Sequence, residues 1–345
     1  MDFKLLNQKI GPADETARQA ALTRWRTIAK PVGSLGALED DITRIAALTG
    51  SEKVRLTPRG VMVMCADNGV ATPDIAITPV RITKVVAEMM ADKKSNVCRM
   101  ARCADAQVFP YDVGMKTRSE NPGLFDHHIA DGTGNILHGP AMTRAQAEDL
   151  IAFSMEQVRL RKEEGYCLLA TGEMGVANTT TSAAMASVLL GRSPREVTGR
   201  GSGLSDASLE KKISVIETAL SVNQPNPADA LDVLCKVGGF DIAAMCGVFL
   251  GGALYKVPVL LDGLISAVAA LTAARLCPNS VNAMIATHIT AEPAGKMLLS
   301  ELGLAPLICA GMRLGEGTGA VAAIPMLDMA LNIYDTMVTF DDIGM

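Results

Sequence analysis

The chain has 345 residues, of which 49% are hydrophobic, 20% charged and 3% aromatic, and this length allows one large domain or two. Its 37 acidic and 32 basic residues give a net charge of −5, which offers no electrostatic basis for binding nucleic acid or an anionic membrane surface. Eight cysteines without Cys-x-x-Cys spacing predict free thiols and a cytoplasmic location, and the four histidines show no zinc-ligand pattern. Neither a signal peptide nor a transmembrane helix is expected, because no apolar segment follows the N-terminus and the apolar stretches are interrupted before about 20 residues.

The first predicted element is an amphipathic helix over residues 13–29. Pro31 and Gly33 interrupt it, and Ser34 is predicted to cap a second helix that runs to about Leu48. We interpret the stretch Lys30–Glu39 as a connector between helices, with a lid or partner contact as the alternative.

Short apolar runs then alternate with helical patterns, which predicts a doubly wound parallel sheet. Strands are expected at Gly60–Ala66, Gln107–Tyr111, Tyr166–Thr171, Val257–Leu261 and Val281–Thr287. Helices are expected at about Val80–Met100, Thr143–Glu164 and Pro225–Val237, after Ser182, Ser205 and Gly239, and from about Gly319 to Tyr334. Residues 115–140 are polar and glycine-rich and are predicted to form a long excursion. Polar residues follow the strands, and in a parallel sheet such ends meet at one edge, where ligands bind.

Two glycine-rich segments are candidate phosphate sites. Gly172–Ser182 leads from a strand into a hydroxyl-rich helix start, where free N–H groups favour an anion, although Asn178 or Thr179 could equally be helix caps. Thr198–Leu204 precedes a helix carrying Lys211 and Lys212, either of which could reach a phosphate or remain solvated.

A third glycine-rich turn holds a single carboxylate, Gly315-Glu316-Gly317. Glycine on both sides permits a positive φ or a close approach to a ligand, so Glu316 is a candidate general base. The alternative is a solvated acid at a helix start, where the dipole favours an anion. His288, after the last predicted strand, is interpreted as a hydrogen-bonded edge residue.

Six segments in order resemble the nicotinate-nucleotide–dimethylbenzimidazole phosphoribosyltransferase family. They are Lys30–Glu39 (KPVGSLGALE), Gly172–Thr180 (GEMGVANTT), Gly199–Leu204 (GRGSGL), Gly238–Ala243 (GGFDIA), Leu261–Gly263 (LDG) and Arg313–Gly319 (RLGEGTG). The resemblance implies an α/β fold, a Rossmann-like parallel sheet flanked by helices. Residues 55–300 would form the large domain, and residues 1–54 with 301–345 a small helical domain. It also implies a homodimeric enzyme of cobalamin nucleotide-loop assembly without a metal or redox cofactor. The enzyme would transfer 5-phosphoribose from nicotinate mononucleotide to an aromatic base, giving an α-ribazole-type 5'-phosphate and nicotinate.

The same resemblance assigns roles by position. Glu316 and Glu173 would be catalytic, with Glu316 accepting the proton of the attacking base. The phosphate and ribose would be bound by Gly172, Asn178, Thr179, Gly201, Ser202, Lys212, Asp262, Gly263 and Thr290. The base pocket would include Asp67, Asn68, Ala76, Met174 and Leu314.

The sequence departs from the family at Asp67-Asn68-Gly69-Val70, where Asp-His-Gly-Val is common, and in the segment Asp74–Pro79. The acceptor is therefore left open between dimethylbenzimidazole, another benzimidazole, a purine and a phenol or cresol. The alternative function is a phenol- or cresol-using phosphoribosyltransferase subunit of a heterodimer of two similar chains. A variant of this alternative is that the chain is the non-catalytic partner in that heterodimer. A nicotinamide-dinucleotide dehydrogenase is disfavoured because no Gly-x-Gly-x-x-Gly turn follows the first predicted strand.

Overall fold

A computed structural model describes residues 1–72, 75–76, 78–201 and 203–345. Within these ranges one parallel sheet is formed by β1 (Arg59–Ala66), β2 (Ala106–Gly114), β3 (Phe125–Asp126), β4 (Leu168–Met174), β5 (Val259–Leu261) and β6 (Met284–Ala286). The strand order is β3-β2-β1-β4-β5-β6, so the order reverses beside β1 and β4. This confirms the predicted α/β class with a parallel sheet, and it places the ligand-binding crevice of such sheets at the carboxyl ends of the strands.

Helices cover both faces of the sheet. They are α1 (Phe3–Ile10), α2 (Glu15–Thr27), α3 (Ala37–Thr49), α4 (Ile82–Ala91), α5 (Asn96–Cys103), α6 (Arg144–Glu163), α7 (Asn178–Leu190), α8 (Pro194–Val197), α9 (Asp206–Asn223), α10 (Ala230–Val237), α11 (Phe240–Tyr255), α12 (Leu264–Leu276), α13 (Ala294–Glu301) and α14 (Thr318–Thr336). Side chains of β1 alternate between two apolar cores. Met62 and Met64 point to the core formed with α6, α7 and α11, whereas Val61 and Val63 point to the core formed with α2, α3 and α14.

The predicted helix Val80–Met100 is wrong as a single element. It is divided into α4 and α5, because Lys93 takes a left-handed conformation with φ of 60° and Ser95 caps α5 by accepting a hydrogen bond from the Cys98 N–H. The cap predicted at Ser34 is also wrong, since α3 starts at Ala37 with Gly36 as its N-cap.

Other element bounds differ in ways that affect the site. The strand predicted at Tyr166–Thr171 starts and ends later, as β4, and therefore includes Glu173. The predicted strand Val281–Thr287 is reduced to the three residues of β6, and the helix predicted from Pro225 begins at Ala230, capped by Asp229. The excursion 115–140 adds the edge strand β3, and α1, α12 and α13 were not predicted.

The chain ends pack against each other through α2, α3 and α14. The rings of Trp25 and Tyr334 lie edge to face with centroids 4.9 Å apart, and the Arg24 side chain donates to the Tyr334 carbonyl. In contrast, α1 packs against α11 and α12, with Leu6 and Ile10 in the other core. The division into residues 55–300 and the two chain ends remains a prediction. None of the described helices combines the length and apolarity needed to cross a membrane.

Candidate active site

A cavity of about 310 Å³ lies at the carboxyl edge of the sheet. Its walls come from the end of β4 and from the segments that follow β4, β5 and β6. Further lining residues are Ile75, Ala76, Thr78, the α4 residues Ile82 and Val86, then Arg200, Gly201 and Leu204, and finally residues 312–316 with Thr318. The volume is at the lower end of the range for small-molecule sites, and the position agrees with the switch in strand order.

The turn that carries Glu316 has an unusual backbone. Glu316 itself has φ of 62°, between Gly315 at 86° and Gly317 at 91°. A left-handed conformation costs a non-glycine residue roughly 1–2 kcal/mol, so the surrounding structure must impose it. One constraint is Gly172 in β4, because a Cβ at that position would lie 2.5 Å from the Glu316 carbonyl oxygen. Gly172 is not among the cavity-lining residues, and its observed contribution is this close packing.

The Glu316 carboxylate is buried at the cavity wall and anchored at the start of α5. Its Oε1 accepts from Asn96 Nδ2 at 2.9 Å, and its Oε2 accepts from the Val97 N–H at 3.1 Å. A carboxylate held by two donors beside a cavity has a defined direction, as proton transfer in a bound complex requires.

Asp262 stabilises the same turn through backbone N–H groups. Its Oδ1 accepts from the Gly319 and Ala320 N–H groups at 2.8 and 3.3 Å, and its Oδ2 accepts from the Gly317 N–H at 3.1 Å. These are orphan donors at the start of α14, so Asp262 acts as a cap supplied by a neighbouring loop. Asp262 and Gly263 both line the cavity.

Glu173 stands next to this turn at the end of β4. Its Oε1 would be 2.6 Å from a Cβ on Gly315, and its Oε2 accepts from Asn178 Nδ2. Burial raises the pKa of Glu173 to about 8, and the charge of Asp241 adds to this, while the Asn178 hydrogen bond opposes it. This direction favours the protonated form of Glu173.

Another part of the cavity wall is formed by Thr179, Arg200, Gly201 and Thr290. The Arg200 guanidinium donates to the Leu204 carbonyl at 2.8 Å and pairs with Asp206. Behind them, Lys212 is 1% exposed, and its Nζ donates to Thr179 Oγ1 at 2.9 Å and to the Gly199 carbonyl at 3.2 Å. Burial lowers the pKa of Lys212 to about 8, against the opposing charge of Glu292. Lys212 is not itself among the lining residues, and its charge lies behind Thr179 and the Gly199 carbonyl rather than at the cavity surface.

Glu292 lines the cavity and supports the same loop by accepting from the Gly201 N–H at 2.9 Å. His288 also lines the cavity, and burial lowers its pKa while Asp262 opposes that change. Arg313 reaches the cavity from the loop before Glu316.

Another part of the wall is mainly apolar. It includes Ile75, Ala76, Ile82, Val86, Met174, Val176 and Leu314. This surface is suited to the flat face of an aromatic ring. Ala76, Met174 and Leu314, which the resemblance assigns to the base pocket, all line the cavity, and their role in binding a base stays a prediction.

Asp67 and Asn68, in contrast, do not line the cavity. Asp67 accepts from Thr83 Oγ1 and from the Lys116 N–H, and Asn68 bonds with Val176 and Thr181. Their polar groups are used in fixing loops, which corrects the expectation that they form the pocket wall. Ser202 lies outside the described residues, as do Pro73, Asp74 and Ile77.

Several residues at the site were not identified from the sequence: Asn96, Arg200, Asp241, Glu292 and Arg313. Arg200, Asp241 and Arg313 belong to motifs quoted above, so their positions in those motifs were an available signal. Asn96 gave none, because the segment was predicted to be the interior of one long helix. Among the described residues, no group of three or more His, Cys, Asp or Glu side chains is arranged to hold a metal ion.

Comparison with known proteins gives consistent matches over almost the whole chain. A family model described as Phosphoribosyltransferase matches residues 10–345. The nicotinate-nucleotide–dimethylbenzimidazole phosphoribosyltransferase of Desulforudis audaxviator (strain MP104C) is 44% identical over 338 residues, covering 98% of this chain and 96% of that protein. The protein of the same name from Escherichia coli (strain K12) is 42% identical over 334 residues, covering 96% and 93%. The crystal structure of CobT from Thermus thermophilus has a TM-score of 0.90 at 35% identity, covering 95% and 98%.

Proposed function

This chain belongs to the nicotinate-nucleotide–dimethylbenzimidazole phosphoribosyltransferase family, and we propose that it transfers 5-phosphoribose from nicotinate mononucleotide to 5,6-dimethylbenzimidazole or a similar aromatic base. The products are an α-ribazole-type 5'-phosphate and nicotinate, as in assembly of the cobamide nucleotide loop. The chain is thus a pentosyltransferase, and the proposal assigns the parts of the cavity to the parts of its substrates.

The phosphate of nicotinate mononucleotide is placed at the Thr179 and Gly201 end. The Thr179 hydroxyl accepts from the Lys212 ammonium group, so its own hydrogen is free to be donated to another acceptor. Thr290 adds a hydroxyl group to the same wall, whereas the Arg200 guanidinium is engaged by Asp206. A buried ammonium behind these donors favours an anionic ligand over a neutral one.

The aromatic base is placed against the apolar wall, with one ring nitrogen facing Glu316. The apolar side chains of Ile82, Val86 and Met174 remove the ring from water, and the carboxylate supplies an acceptor for the ring N–H. The ribose then lies between the two ends of the cavity, next to Glu173.

The reaction on this geometry is a displacement at ribose C1'. A nitrogen of the base forms the new bond to C1', while the bond from C1' to the pyridinium nitrogen breaks and its electron pair returns to the departing nicotinate. The proton of the attacking base passes to Glu316. Because positive charge develops at C1' in the transition state, a carboxylate nearby also stabilises that charge.

One observation carries the proposal: a strained, doubly anchored carboxylate and a loop backed by a buried lysine border the same cavity. The test is a panel of bases incubated with the purified chain and nicotinate mononucleotide, with nicotinate and the ribosylated product measured together. The panel contains dimethylbenzimidazole, adenine, phenol and p-cresol. We expect equal amounts of nicotinate and product with dimethylbenzimidazole, and nicotinate release without any ribosylated base would contradict the assignment.

The phenolic acceptor is less well supported, because the relatives compared here carry the name of the dimethylbenzimidazole enzyme. The retained Glu316 and Lys212 also argue against a non-catalytic partner. We further propose a homodimer in the cytoplasm, consistent with eight cysteines that are all free. Light scattering of the purified chain would test the dimer, and a stable monomer with full activity would exclude it as a requirement.

A further inference from the structure

At the cavity wall, two carboxyl groups share a single amide. Asn178, the first residue of α7, uses Nδ2 to donate both to Glu173 Oε2 and to Asp241 Oδ2, the latter at 3.0 Å. Asp241 has no exposed surface and does not line the cavity, whereas Glu173 does. The Asn178 amide therefore connects Glu173, which borders the cavity, to Asp241, which is fully enclosed and out of reach of a substrate.

The donors around the two carboxyl groups are unequal. Asp241 lies in the first turn of α11, where the helix dipole favours an anion, and its Oδ1 also accepts from the Ile242 N–H at 3.0 Å. Glu173 sits on a strand and receives the Asn178 hydrogen bond. Two buried carboxyl groups this closely linked do not both ionise at low cost, and the one with more donors and a helix start holds the charge. By this geometry Asp241 is the anion and Glu173 retains the proton.

We propose that Asp241 is a positioning residue for the transfer reaction: the Asn178 amide that it shares with Glu173 fixes the Glu173 carboxyl group at the cavity wall, and the Asp241 charge keeps that group protonated, leaving the role of proton acceptor to Glu316. The inference rests on the proposed function, whose substrate carries an anionic phosphate and an anionic nicotinate carboxylate. A protonated Glu173 does not repel these groups and can donate its O–H to an oxygen of the substrate.

Other charged and titratable groups face this pair from each side. Asp262 after β5 and Glu316 before α14 are negative neighbours of Glu173, and Asp67 is a negative neighbour of Asp241. The buried Cys65 thiol on β1 faces both carboxyl groups. Arg313, His288 and Arg200 line the cavity that Glu173 borders. The pKa values agree with the geometric order, since burial raises that of Glu173 to about 8 and that of Asp241 only to about 6.

The test uses two variants that move the same titration in opposite directions. D241N keeps an oxygen that can accept from Asn178 but removes the charge, so Glu173 should lose its proton more readily. N178S removes the shared donor, which favours the ionised form of Glu173, so Glu173 should hold its proton to higher pH. The measured quantity is the apparent pKa of the alkaline limb in the pH profile of kcat/KM for nicotinate mononucleotide. We expect this pKa to fall by about one unit or more in D241N and to rise in N178S. E173Q should remove the part of the limb that shifts in D241N and N178S, leaving the decline that Lys212 causes, and keep kcat within about tenfold of the original, because the amide is neutral and can donate.

A matched control is D41N, which neutralises another buried acid, on α3 and outside the cavity. It should leave the profile unchanged. A merely structural role for Asp241 would lower activity in D241N and N178S at all pH values without moving the limb, and that result would overturn the proposal.

Infrared titration of the free enzyme tests the protonation without requiring transfer activity. We expect a protonated-carboxyl band that is absent in E173Q and that titrates at lower pH in D241N than in the unsubstituted chain. Retention of every such band in E173Q would overturn the proposal, even if transfer to dimethylbenzimidazole is confirmed. If the chain transfers no phosphoribose at all, the proposed function fails, while the infrared result still decides where the proton lies. Circular dichroism verifies the fold of each variant, and E173Q alone decides the band assignment if D241N does not fold.

Discussion

The two glycine-rich loops that border the cavity are stabilised by different charged groups, a cation together with a carboxylate in the first and carboxylates alone in the second. The loop at Gly199–Gly201 is held by the buried Lys212 ammonium on one carbonyl and by Glu292 on one N–H. The turn at Gly315–Gly317 is held by Asp262 on its N–H groups, with the Glu316 carboxylate tied to α5. A buried cation prepares the first loop for an anionic group, whereas the carboxyl groups around the second can accept and retain protons. In the proposed reaction the phosphate is therefore assigned to the first loop and the deprotonation of the base to the second.

The largest expected effect comes from removing the proton acceptor of the second loop. Glu316→Gln keeps an oxygen for the Val97 N–H but cannot accept the proton, so we expect kcat to fall by roughly 100-fold or more with KM for nicotinate mononucleotide little changed. Steady-state nicotinate release measures both constants. The matched control is Glu301→Gln on the exposed surface of α13, which should retain normal activity. Near-normal turnover in Glu316→Gln would remove Glu316 from its assigned role.

The next effect concerns the cation of the first loop. Lys212→Met removes the charge and both hydrogen bonds, so we expect kcat/KM for nicotinate mononucleotide to fall by about 10- to 100-fold, with most of the change in KM. The neighbouring Lys211 is exposed on the same helix, so Lys211→Met is the control variant. It makes the same Lys-to-Met change on α9 without removing the buried ammonium group of Lys212. Equal losses in the two variants would show that the position of the charge is unimportant.

A smaller effect is expected for the cap of α14. Asp262→Ala leaves three backbone N–H groups without their acceptor, and we expect the free energy of unfolding to fall by about 1–2 kcal/mol, the usual cost of losing a helix cap. Chemical denaturation followed by circular dichroism gives this value. Asp262→Asn retains an acceptor oxygen and should lose less, so a larger loss in Asp262→Asn than in Asp262→Ala would contradict the capping role.

The smallest effect is a pH dependence of substrate binding. The pKa of Lys212 is lowered to about 8 in the folded chain, so its charge is lost as pH rises through that value. Affinity for nicotinate mononucleotide should therefore decline above pH 8, by at most about tenfold per pH unit, and Lys212→Met should flatten this decline.

The same titration predicts a change in stability. Because the unfolded lysine still holds its proton up to about pH 10.5, the free energy of unfolding should rise between pH 8 and 10.5. Isothermal calorimetry measures the first trend and denaturation the second, and affinity that stays constant from pH 7 to 9.5 would exclude Lys212 as the responsible charge.

Sequence patterns predicted much of the fold because the strands are short and almost wholly apolar. The strand predicted at Gly60–Ala66 matches β1 to within one residue, and the cap predicted at Thr143 is confirmed at the start of α6. The break between α4 and α5 could not be predicted, since it depends on a positive φ at Lys93 and on the tertiary contact that α5 makes with Glu316. Periodicity reports which residues are buried, and it carries no information about such contacts.

The site was predicted unevenly for a related reason. Motifs identified residues that come together at the cavity, including Glu316, Glu173 and Thr179. They did not distinguish a residue that lines the cavity from one that supports it, so Asp67 and Asn68 were assigned to the wall although their side chains bond to neighbouring loops. Lys212 was assigned to the phosphate site, which stays a prediction, and its position behind Thr179 follows from tertiary packing that the sequence does not report.

The orientation of the substrates between the two loops can be measured directly in a crystal structure of Glu316→Gln with nicotinate mononucleotide and dimethylbenzimidazole. We predict the phosphate within hydrogen-bond distance of Thr179, the base against Ile82 and Met174, and one of its nitrogens about 2.6–3.2 Å from the side chain at position 316. The reverse orientation, with the base at Gly201 and the phosphate against the apolar wall, would contradict the division of the cavity into an anion-binding end and a proton-accepting end.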